Sequence, residues 1–310
     1  MPNFYDHFSA SSPFTASQIN LELDKLDAQI KTNEDDVAAI SFNPAVLPAQ
    51  CRLSLSSSLP VTVSNVTAAA TLYLHPFGGQ TLPLYDGANW VVRTLASTVN
   101  LSIPATTSTV YDVFAYWNGS AIVLEAVAWS SATARATALT TQDGINVKTG
   151  ETTKRYVGSF RTTAVSGQCE DSVTKRYLWN MYNRKARALE IQDATANWVY
   201  TTATWHQTRA TTSNKVELVI GLSEDIVELE AIETATSTTG FAFTGVGVDS
   251  TTVNSAEVAT ASVTHFSPAT ARYKGFPGVG YHALNWLEIG GGAGTTTWYG
   301  PGGMSGAVWA

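Results

Sequence analysis

The chain has 310 residues, a formal net charge of −7 and a pI near 5.2; 14% of its residues are charged and 44% are hydrophobic. Phosphate binding needs clustered Lys and Arg, so this acidic balance argues against nucleic acid as a partner. No apolar run reaches the roughly 18 residues of a membrane-spanning helix, and residues 1–14 lack the charged and apolar regions of a signal peptide. An average soluble domain has about 25% charged residues. The Thr, Ser and Ala that replace them here favour β structure and surfaces buried between subunits.

The clearest periodicity in the chain lies between residues 16 and 41, where one set of residues recurs at alternating steps of four and three. The set is Ile19, Leu23, Leu26, Ile30, Asn33, Val37 and Ile40. This spacing is typical of a coiled-coil seam, and its mixture of Leu and β-branched residues favours a trimer. Thr15 and Gln18 are a candidate capping box, and Asn43-Pro44 ends the pattern. The alternative is an amphipathic helix packed on its own domain.

The positions beside this seam are acidic. They carry Glu22, Asp27, Gln29, Glu34 and Asp36, which in a parallel bundle place acid near acid. We therefore expect the stalk to gain stability elsewhere, from the domains that follow it or from a partner.

Aromatic residues precede the seam. Phe4, Tyr5, Phe8 and Phe14 could anchor the N-terminal segment, residues 1–48, in a partner's groove. This segment is the predicted particle-attachment element.

From residue 49 the sequence changes to short runs rich in Val, Thr, Leu and aromatic residues. Residues 72–74 and 82–85 flank a Gly78-Gly79 turn, and Asn118-Gly119 predicts a hairpin between residues 111–117 and 121–127. Residues 172–184 read as a second helix, capped by Asp171 or Ser172. Cys51 and Cys169 match no metal-binding spacing, so they are expected to be buried thiols.

After residue 187 the strand pattern resumes, with predicted strands at 198–205, 215–222, 226–232 and 262–266. The whole chain is therefore predicted to be mainly β, with an N-terminal α-helical coiled-coil stalk followed by two β-rich domains. The predicted domains are an anchor and coiled-coil helix at 1–48, a β-rich module ending in a helix at 49–186, and a C-terminal β-sandwich with a Gly-rich tail at 187–310.

Part of the chain resembles a module found in structural proteins of tailed bacteriophages. The stretches that carry the resemblance are LYLHPFGGQTLPLYDGANW at 72–90, TTQDGINVKTGETTKRYVGSFRTT at 140–163, GQCEDSVTKRYLWNMYNR at 167–184 and YHALNWLEIGGGAGTTTWYG at 281–300, followed by MSGAVWA. The resemblance implies a virion-attached, usually trimeric protein: a tail fibre, a head fibre or a capsid decoration protein. Such a protein is made in the host bacterial cytoplasm, is held by capsid, neck or tail proteins, and brings no catalytic site.

The sequence contains no recognisable set of catalytic residues. The candidate acids Asp112, Glu125, Asp143, Glu170 and Asp171 could include the carboxylate pair of a polysaccharide depolymerase, but acids in turns are more often structural. The histidines show no paired-ligand spacing, and no serine lies in a nucleophile elbow. We therefore predict a non-enzymatic protein without metal or cofactor.

The tryptophans are the remaining candidates for ligand-binding residues. Trp198, Trp205, Trp286 and Trp298, with Tyr299 and Trp309, could stack on the apolar faces of sugars in a host surface glycan. The alternative function is therefore a receptor-recognition module, although most tryptophans fill cores or interfaces.

Overall fold

The computed structural model describes residues 15–39, 47–238, 240–259, 265–292 and 294–310. The chain divides into two compact units, Met1–Asn43 and Pro44–Ala310. The described residues of the first unit form one helix. The second contains strands and is mainly β, as the sequence predicts.

The N-terminal helix, α1 (Ala16–Ala39), begins at the predicted capping box. The Thr15 amide donates to the Gln18 side-chain oxygen at 3.0 Å, and the Gln18 amide donates to the Thr15 hydroxyl at 3.3 Å. Four seam residues, Ile19, Leu23, Leu26 and Ile30, are between 46% and 52% exposed. The predicted helix is confirmed, whereas its assembly into a coiled coil stays a prediction.

The rest of the seam is less fully described. Asn33 is exposed on α1, and its side-chain oxygen accepts a hydrogen bond from Gln29 at 3.0 Å. Val37 lies in α1, but its side chain is outside the described set, and Ile40 lies outside the described residues. The predicted aromatic anchor at residues 1–14 also lies outside them.

The strands of the second unit follow one another with short connections. The first twelve are β1 (Cys51–Ser54), β2 (Val66–Ala69), β3 (Thr71–Pro76), β4 (Thr81–Tyr85), β5 (Trp90–Thr94), β6 (Val99–Ser102), β7 (Val110–Trp117), β8 (Ile122–Ala128), β9 (Leu139–Gln142), β10 (Ile145–Lys148), β11 (Glu151–Arg161) and β12 (Cys169–Asp171). The others are β13 (Lys175–Arg176), β14 (Leu178–Asn180), β15 (Ala186–Asp193), β16 (Asn197–Tyr200), β17 (His206–Gln207), β18 (Lys215–Ile220), β19 (Val227–Ser237), β20 (Ala242–Val248), β21 (Glu257–Ala259), β22 (Ser267–Gly275), β23 (Gly280–Gly290) and β24 (Thr296–Trp309). A 3-10 turn spans Thr208–Ala210.

These strands form several sheets. Small sheets have the orders β1-β3-β6 and β4-β5, and a larger one runs β8-β7-β11-β10-β9 with β14 on β11. The β23 sheet runs β17-β23-β18-β13-β12-β2, with β20 on β23. The β24 sheet runs β15-β24-β19-β22-β21, with β16 on β24.

The β23 and β24 sheets share one hydrophobic core. Leu218 and Trp286 from the first lie in the same buried cluster as Leu229 and Met304 from the second. Two sheets packed on a common core are what the predicted sandwich requires. The β23 sheet also takes β2, β12 and β13 from before residue 186. The predicted domain boundary at 186 therefore lies between strands of one hydrogen-bonded sheet, and the division into two β-rich domains stays a prediction.

The predicted helix at residues 172–184 is wrong. The segment contains β13, which pairs with β12 and β18, and β14, which pairs with β11. Leu178 packs in one hydrophobic cluster and its neighbour Trp179 in the other. A surface helix buries one face only, whereas adjacent residues of a strand point to opposite sides. The segment lies between two cores, so both sides must be apolar.

Other local predictions are confirmed. Strands β7 and β8 pair as a hairpin around Asn118-Gly119, where Gly119 has a φ of 102°. Cys51 and Cys169 are free and buried. Strands β3 and β4 lie on either side of Gly78-Gly79, but they pair with other strands. The predicted strand at 262–266 lies largely outside the described residues, and β22 begins just after it.

Candidate functional site

The outer face of the β24 sheet carries a groove. Along β24 the buried residues Met304 and Val308 alternate with the outward residues Gly303, Ser305 and Ala307, which have small side chains or none. In register with these small residues stand Gln192 and Glu190 on β15, and Ile232, Glu230 and Glu228 on β19. Larger side chains therefore flank a low floor, and we call this surface the β24 groove.

Three adjoining depressions, of about 320, 370 and 440 Å³, lie along the β24 groove. The floor from Gly303 to Trp309 is about 20 Å long at the usual rise of a strand. Ile232 lies near one end, and Phe276 and Trp309 lie near the other, each about half exposed. The groove thus has apolar ends and a polar middle.

Charged and amide side chains line the middle of the β24 groove. Gln192 donates to Glu190 at 2.6 Å, and the Lys274 ammonium lies 2.5 Å from Glu228 and holds the pKa of that carboxyl below its usual range. Glu230 stands opposite Arg272 on β22. Carboxylate, amide, hydroxyl and guanidinium groups around an open floor can hydrogen-bond a polyhydroxylated ligand.

The predicted tryptophans divide into two groups. Trp286 and Trp298 have no exposed surface, so neither can stack on a sugar in the folded chain. Trp286 donates its indole N–H to the Thr244 hydroxyl at 2.9 Å inside the core. Trp198 and Trp205 are half-buried and keep part of their surface open to solvent. Only this pair remains available from the four predicted glycan contacts.

The five candidate acids are held by neighbouring side chains. Asp112 binds Arg135 at 2.6 Å, and Asp171 binds Arg176 and Arg187 at 2.8 Å each. The three others also have partners: Glu125 contacts Lys148 and Lys154, Asp143 accepts from the Trp90 indole, and Glu170 contacts Lys175. These contacts join strands and turns. The structure therefore gives each of these acids a role in the fold.

A second polar cluster lies between the β23 and β24 sheets. Glu288 on β23 is fully buried and accepts hydrogen bonds from the Trp198 indole at 2.8 Å and the Arg209 amide at 3.2 Å. Glu233 on β19 is 1% exposed, and both its oxygens lack a hydrogen-bond partner among the described residues. His206 Nε2 lies 3.3 Å from a Glu288 oxygen. Among the described residues, no three or more His, Cys, Asp or Glu side chains are grouped so that they could hold a metal ion.

Sequence reasoning missed this carboxyl pair, although the sequence contains a signal for it. In β19, Glu233 has the same inward phase as Leu229 and Ala231, and in β23, Glu288 has the phase of Leu284 and Trp286. A glutamate at the apolar phase of a strand must be buried, and a buried carboxyl needs a proton or a partner.

Desolvation shifts the pKa of both glutamates. Burial raises the pKa of Glu288 to about 7. Burial and the nearby Glu288 raise the pKa of Glu233 well above its ordinary value. The hydroxyls of Thr208 and Thr244 lower it in part, although neither forms a hydrogen bond of normal geometry with Glu233. Burial therefore favours the protonated form of Glu233 in the folded chain.

Comparisons with known proteins give little further guidance. No protein-family model and no curated protein matches the chain. An insecticidal delta-endotoxin from Bacillus thuringiensis superposes with a TM-score of 0.24 and 8% identity, over 84% of this chain and 52% of the toxin. The structure of infectious bursal disease virus, Gx strain, gives a TM-score of 0.26 and 12% identity, over 85% of this chain and 76% of the viral chain. The chain spans about half the length of the toxin, and scores this low do not establish a shared fold. Among the described residues, no helix is long and apolar enough to cross a membrane.

Proposed function

We propose that this chain is a non-enzymatic structural protein of a tailed bacteriophage particle, a trimeric fibre or decoration protein held by its N-terminal segment. The observation that carries the proposal is the half-exposed apolar seam of α1. Ile19, Leu23, Leu26 and Ile30 line one side of a 24-residue helix, and each is about half exposed in the single chain. Apolar residues in this pattern gain most by packing against copies of themselves.

The resemblance of residues 72–184 and 281–300 to phage structural modules supports the location on a virion. The partners would be further copies of this chain and a capsid, neck or tail protein. The candidate acids take part in ion pairs and hydrogen bonds that join strands and turns, which fits an architectural role. Residues 1–48 would attach the protein to the particle, and the β-rich remainder of the chain, from residue 49 onward, would be displayed.

Sedimentation equilibrium of the full chain at micromolar concentration tests the assembly. We expect a trimer that Leu26→Ser converts to a monomer, because a polar residue replaces a seam contact. Leu21→Ser is the matched control, since Leu21 is 56% exposed on the same helix but lies off the seam. A monomeric wild-type chain, or equal effects of the two variants, would contradict the coiled coil.

The acidic flanks of the seam add a salt dependence to this test. Glu22, Asp27 and Glu34 bring like charges together in a bundle. Salt weakens the repulsion between exposed charges, and the Debye length is about 10 Å at 0.1 M. We expect the trimer to dissociate less as NaCl is raised. Weaker association at higher salt would mean that ion pairs, and not apolar contacts, hold the helices together.

Attachment to a particle needs a separate test. Virions depleted of the native protein would be mixed with the full chain or with a chain lacking residues 1–15, and binding would be followed by immunogold labelling. Only the full chain should decorate these particles. Equal labelling by the truncated trimer would place the attachment site elsewhere.

The β24 groove favours a second candidate function, recognition of a host surface glycan. Its polar middle and exposed aromatic end suit sugar hydroxyls and an apolar sugar face. Incubation with host polysaccharide separates the possibilities. Saturable binding without cleavage supports recognition, release of reducing ends supports a depolymerase, and neither supports a purely architectural role. Ser305→Arg, which fills the groove floor, should abolish binding, whereas Val199→Arg on β16 should not.

A further inference from the structure

One end of the β24 groove combines aromatic rings with carboxylates, and we call it the aromatic end. The depression at this end has a volume of about 440 Å³. Its lining includes three large apolar residues and three acids: Ile226, Phe276, Trp309, Glu224, Asp225 and Glu228. Phe276 is 57% exposed and Trp309 is 51% exposed. Both rings are therefore open to a ligand while they line the same depression.

The strand register sets the spacing of the two rings. When the pairings of β19 with β24 and with β22 are continued to the strand ends, Trp309 and Phe276 lie on either side of Ile226. Neighbouring strands are about 4.8 Å apart, so the two backbone positions that carry the rings are about 10 Å apart. A cation midway between the rings would lie within the roughly 6 Å over which an aromatic face attracts it. The half-buried Ile226 forms an apolar floor between the rings.

The carboxylates at the aromatic end outnumber the cationic side chains that contact them. Arg184 is shared by Glu224 and Asp225, at 2.9 and 2.5 Å, and Lys274 lies 2.5 Å from Glu228. Two cationic side chains therefore serve three carboxylates, which leaves this end negative. The side chains of Glu228 and Lys274 are both more than half exposed, so their ion pair is weak and Glu228 is free to turn towards another cation.

This combination of groups distinguishes between classes of ligand. An anionic substituent, such as a phosphate or a uronate, is repelled by the surplus of carboxylates. A neutral sugar can stack on the rings but leaves that charge uncompensated. A primary ammonium group needs three hydrogen-bond acceptors, which the two rings and Ile226 do not supply. A quaternary ammonium group has no N–H to satisfy, and its methyl groups pack against apolar and aromatic surface while its charge faces the acids.

We propose that the aromatic end binds a quaternary ammonium group, held between Trp309 and Phe276 and beside Glu228. The inference rests on the second candidate function, recognition of a host surface glycan by the β24 groove. It adds that the glycan carries a cationic substituent. The polar middle of the groove would contact the sugar hydroxyls, and the aromatic end would select the chains that carry the charged group.

Fluorine NMR of the full chain labelled with 5-fluorotryptophan tests the site, with choline chloride as the probe and NaCl used to hold the ionic strength constant. The resonance of Trp309, identified by its loss in Trp309→Phe, should shift saturably. The uncharged probe 3,3-dimethylbutan-1-ol has the same shape as choline and should bind at least about threefold more weakly, because it lacks the cation–π and carboxylate attraction. Equal binding of the two probes, or no saturable shift with choline, would overturn the proposal.

Substitutions of exposed residues test the assignment to these side chains. Phe276→Ala should weaken choline binding by about three- to tenfold, and Glu228→Gln should weaken it less. Phe266→Ala is the matched control, because Phe266 is 67% exposed beside the opposite end of β22. It should leave choline binding unchanged. Equal effects of Phe276→Ala and Phe266→Ala, or binding of ethanolamine as tight as that of choline, would contradict a quaternary ammonium site between the two rings.

Competition with host polysaccharide separates this inference from the function on which it rests. Choline should displace a bound polysaccharide from the wild-type chain. If the polysaccharide binds and Ser305→Arg abolishes its binding, but choline neither binds nor competes, glycan recognition stands and the ammonium site is refuted. If choline shifts Trp309 while no host polysaccharide binds, the ammonium site stands and recognition of a host glycan is refuted.

Discussion

At the scale of single residues, Glu233 differs most from its surroundings. Its strand neighbours in phase, Leu229, Ala231 and Ala235, are fully buried and apolar, and its own oxygens have no hydrogen-bond partner among the described residues. Burial raises the pKa of Glu233, so folding favours its protonated form, whereas the unfolded chain favours the carboxylate at neutral pH. Each unit by which the pKa is raised costs about 1.4 kcal/mol of stability above that pKa.

Glu233→Met should consequently stabilise the protein at pH 7.5, because it removes the proton uptake and keeps the side-chain volume. We expect a gain of about 1–3 kcal/mol in the free energy of unfolding. The pKa of Glu233 is raised in the folded state, so wild-type stability from this group is full below pH of about 4.5 and falls above it. The gain should therefore be smaller at pH 4.

Urea titrations at pH 4 and 7.5 would measure this effect. Glu230→Met is the control, because Glu230 is exposed on the other face of β19 and substitution there should change stability by less than about 0.5 kcal/mol. Destabilisation by Glu233→Met at pH 7.5 would show that an ionised Glu233 has a favourable partner.

At the scale of secondary-structure elements, Arg135 ties strand β7 to the turn after β18. Its guanidinium donates to Asp112 at 2.6 Å and to the Gly221 carbonyl oxygen at 2.6 Å, and it lies 4.4 Å from the Trp129 ring centroid. The Ser159 hydroxyl also donates to Asp112, at 2.7 Å. Burial nevertheless raises the pKa of Asp112, which means that the carboxylate depends on these donors.

Arg135→Met should therefore leave Asp112 buried without a cationic partner, at a cost of about 3–5 kcal/mol at pH 7. Because a protonated Asp112 does not need the cation, the cost should be smaller at pH 4. Arg135→Lys, which keeps the charge but loses the two-point contact, should fall between wild type and Arg135→Met. Chemical denaturation at both pH values measures the difference, and an equal cost at each would refute the electrostatic explanation.

Helix α1 makes a further prediction at this scale, through the one polar residue of its seam. In a parallel trimer, three Asn33 side chains would converge on the axis, where they specify register and cost stability. Asn33→Ile should raise the melting temperature and broaden the distribution of oligomers. If Asn33 instead faces solvent, both quantities should stay within the small range of exposed substitutions, about 0.5 kcal/mol.

At the scale of the whole molecule, strands before residue 186 pair with strands after it. Strand β13 pairs with β18, and the Arg52 guanidinium donates to the Ala310 carbonyl oxygen at 2.8 Å. We expect residues 47–310 to unfold in one calorimetric transition, with the van't Hoff enthalpy equal to the calorimetric value. A fragment ending at residue 186 should not fold alone, because β12 and β13 would lose their sheet. Two transitions, or a folded fragment, would support the predicted division into two β-rich domains.

The sequence by itself determined the elements that depend on local chemistry. The capping box and heptad spacing are sufficient for α1, and Asn118-Gly119 is sufficient for the β7–β8 hairpin, because a cap or a primed turn involves only neighbouring residues. The mainly β character follows from alternation along the strands. Tertiary structure alone decided that residues 172–184 form strands, since only the presence of a core on each side requires both sides to be apolar. It also decided which tryptophans are buried, and it brought Glu233, Glu288 and His206 together, because these residues lie on different strands whose pairing no local pattern encodes.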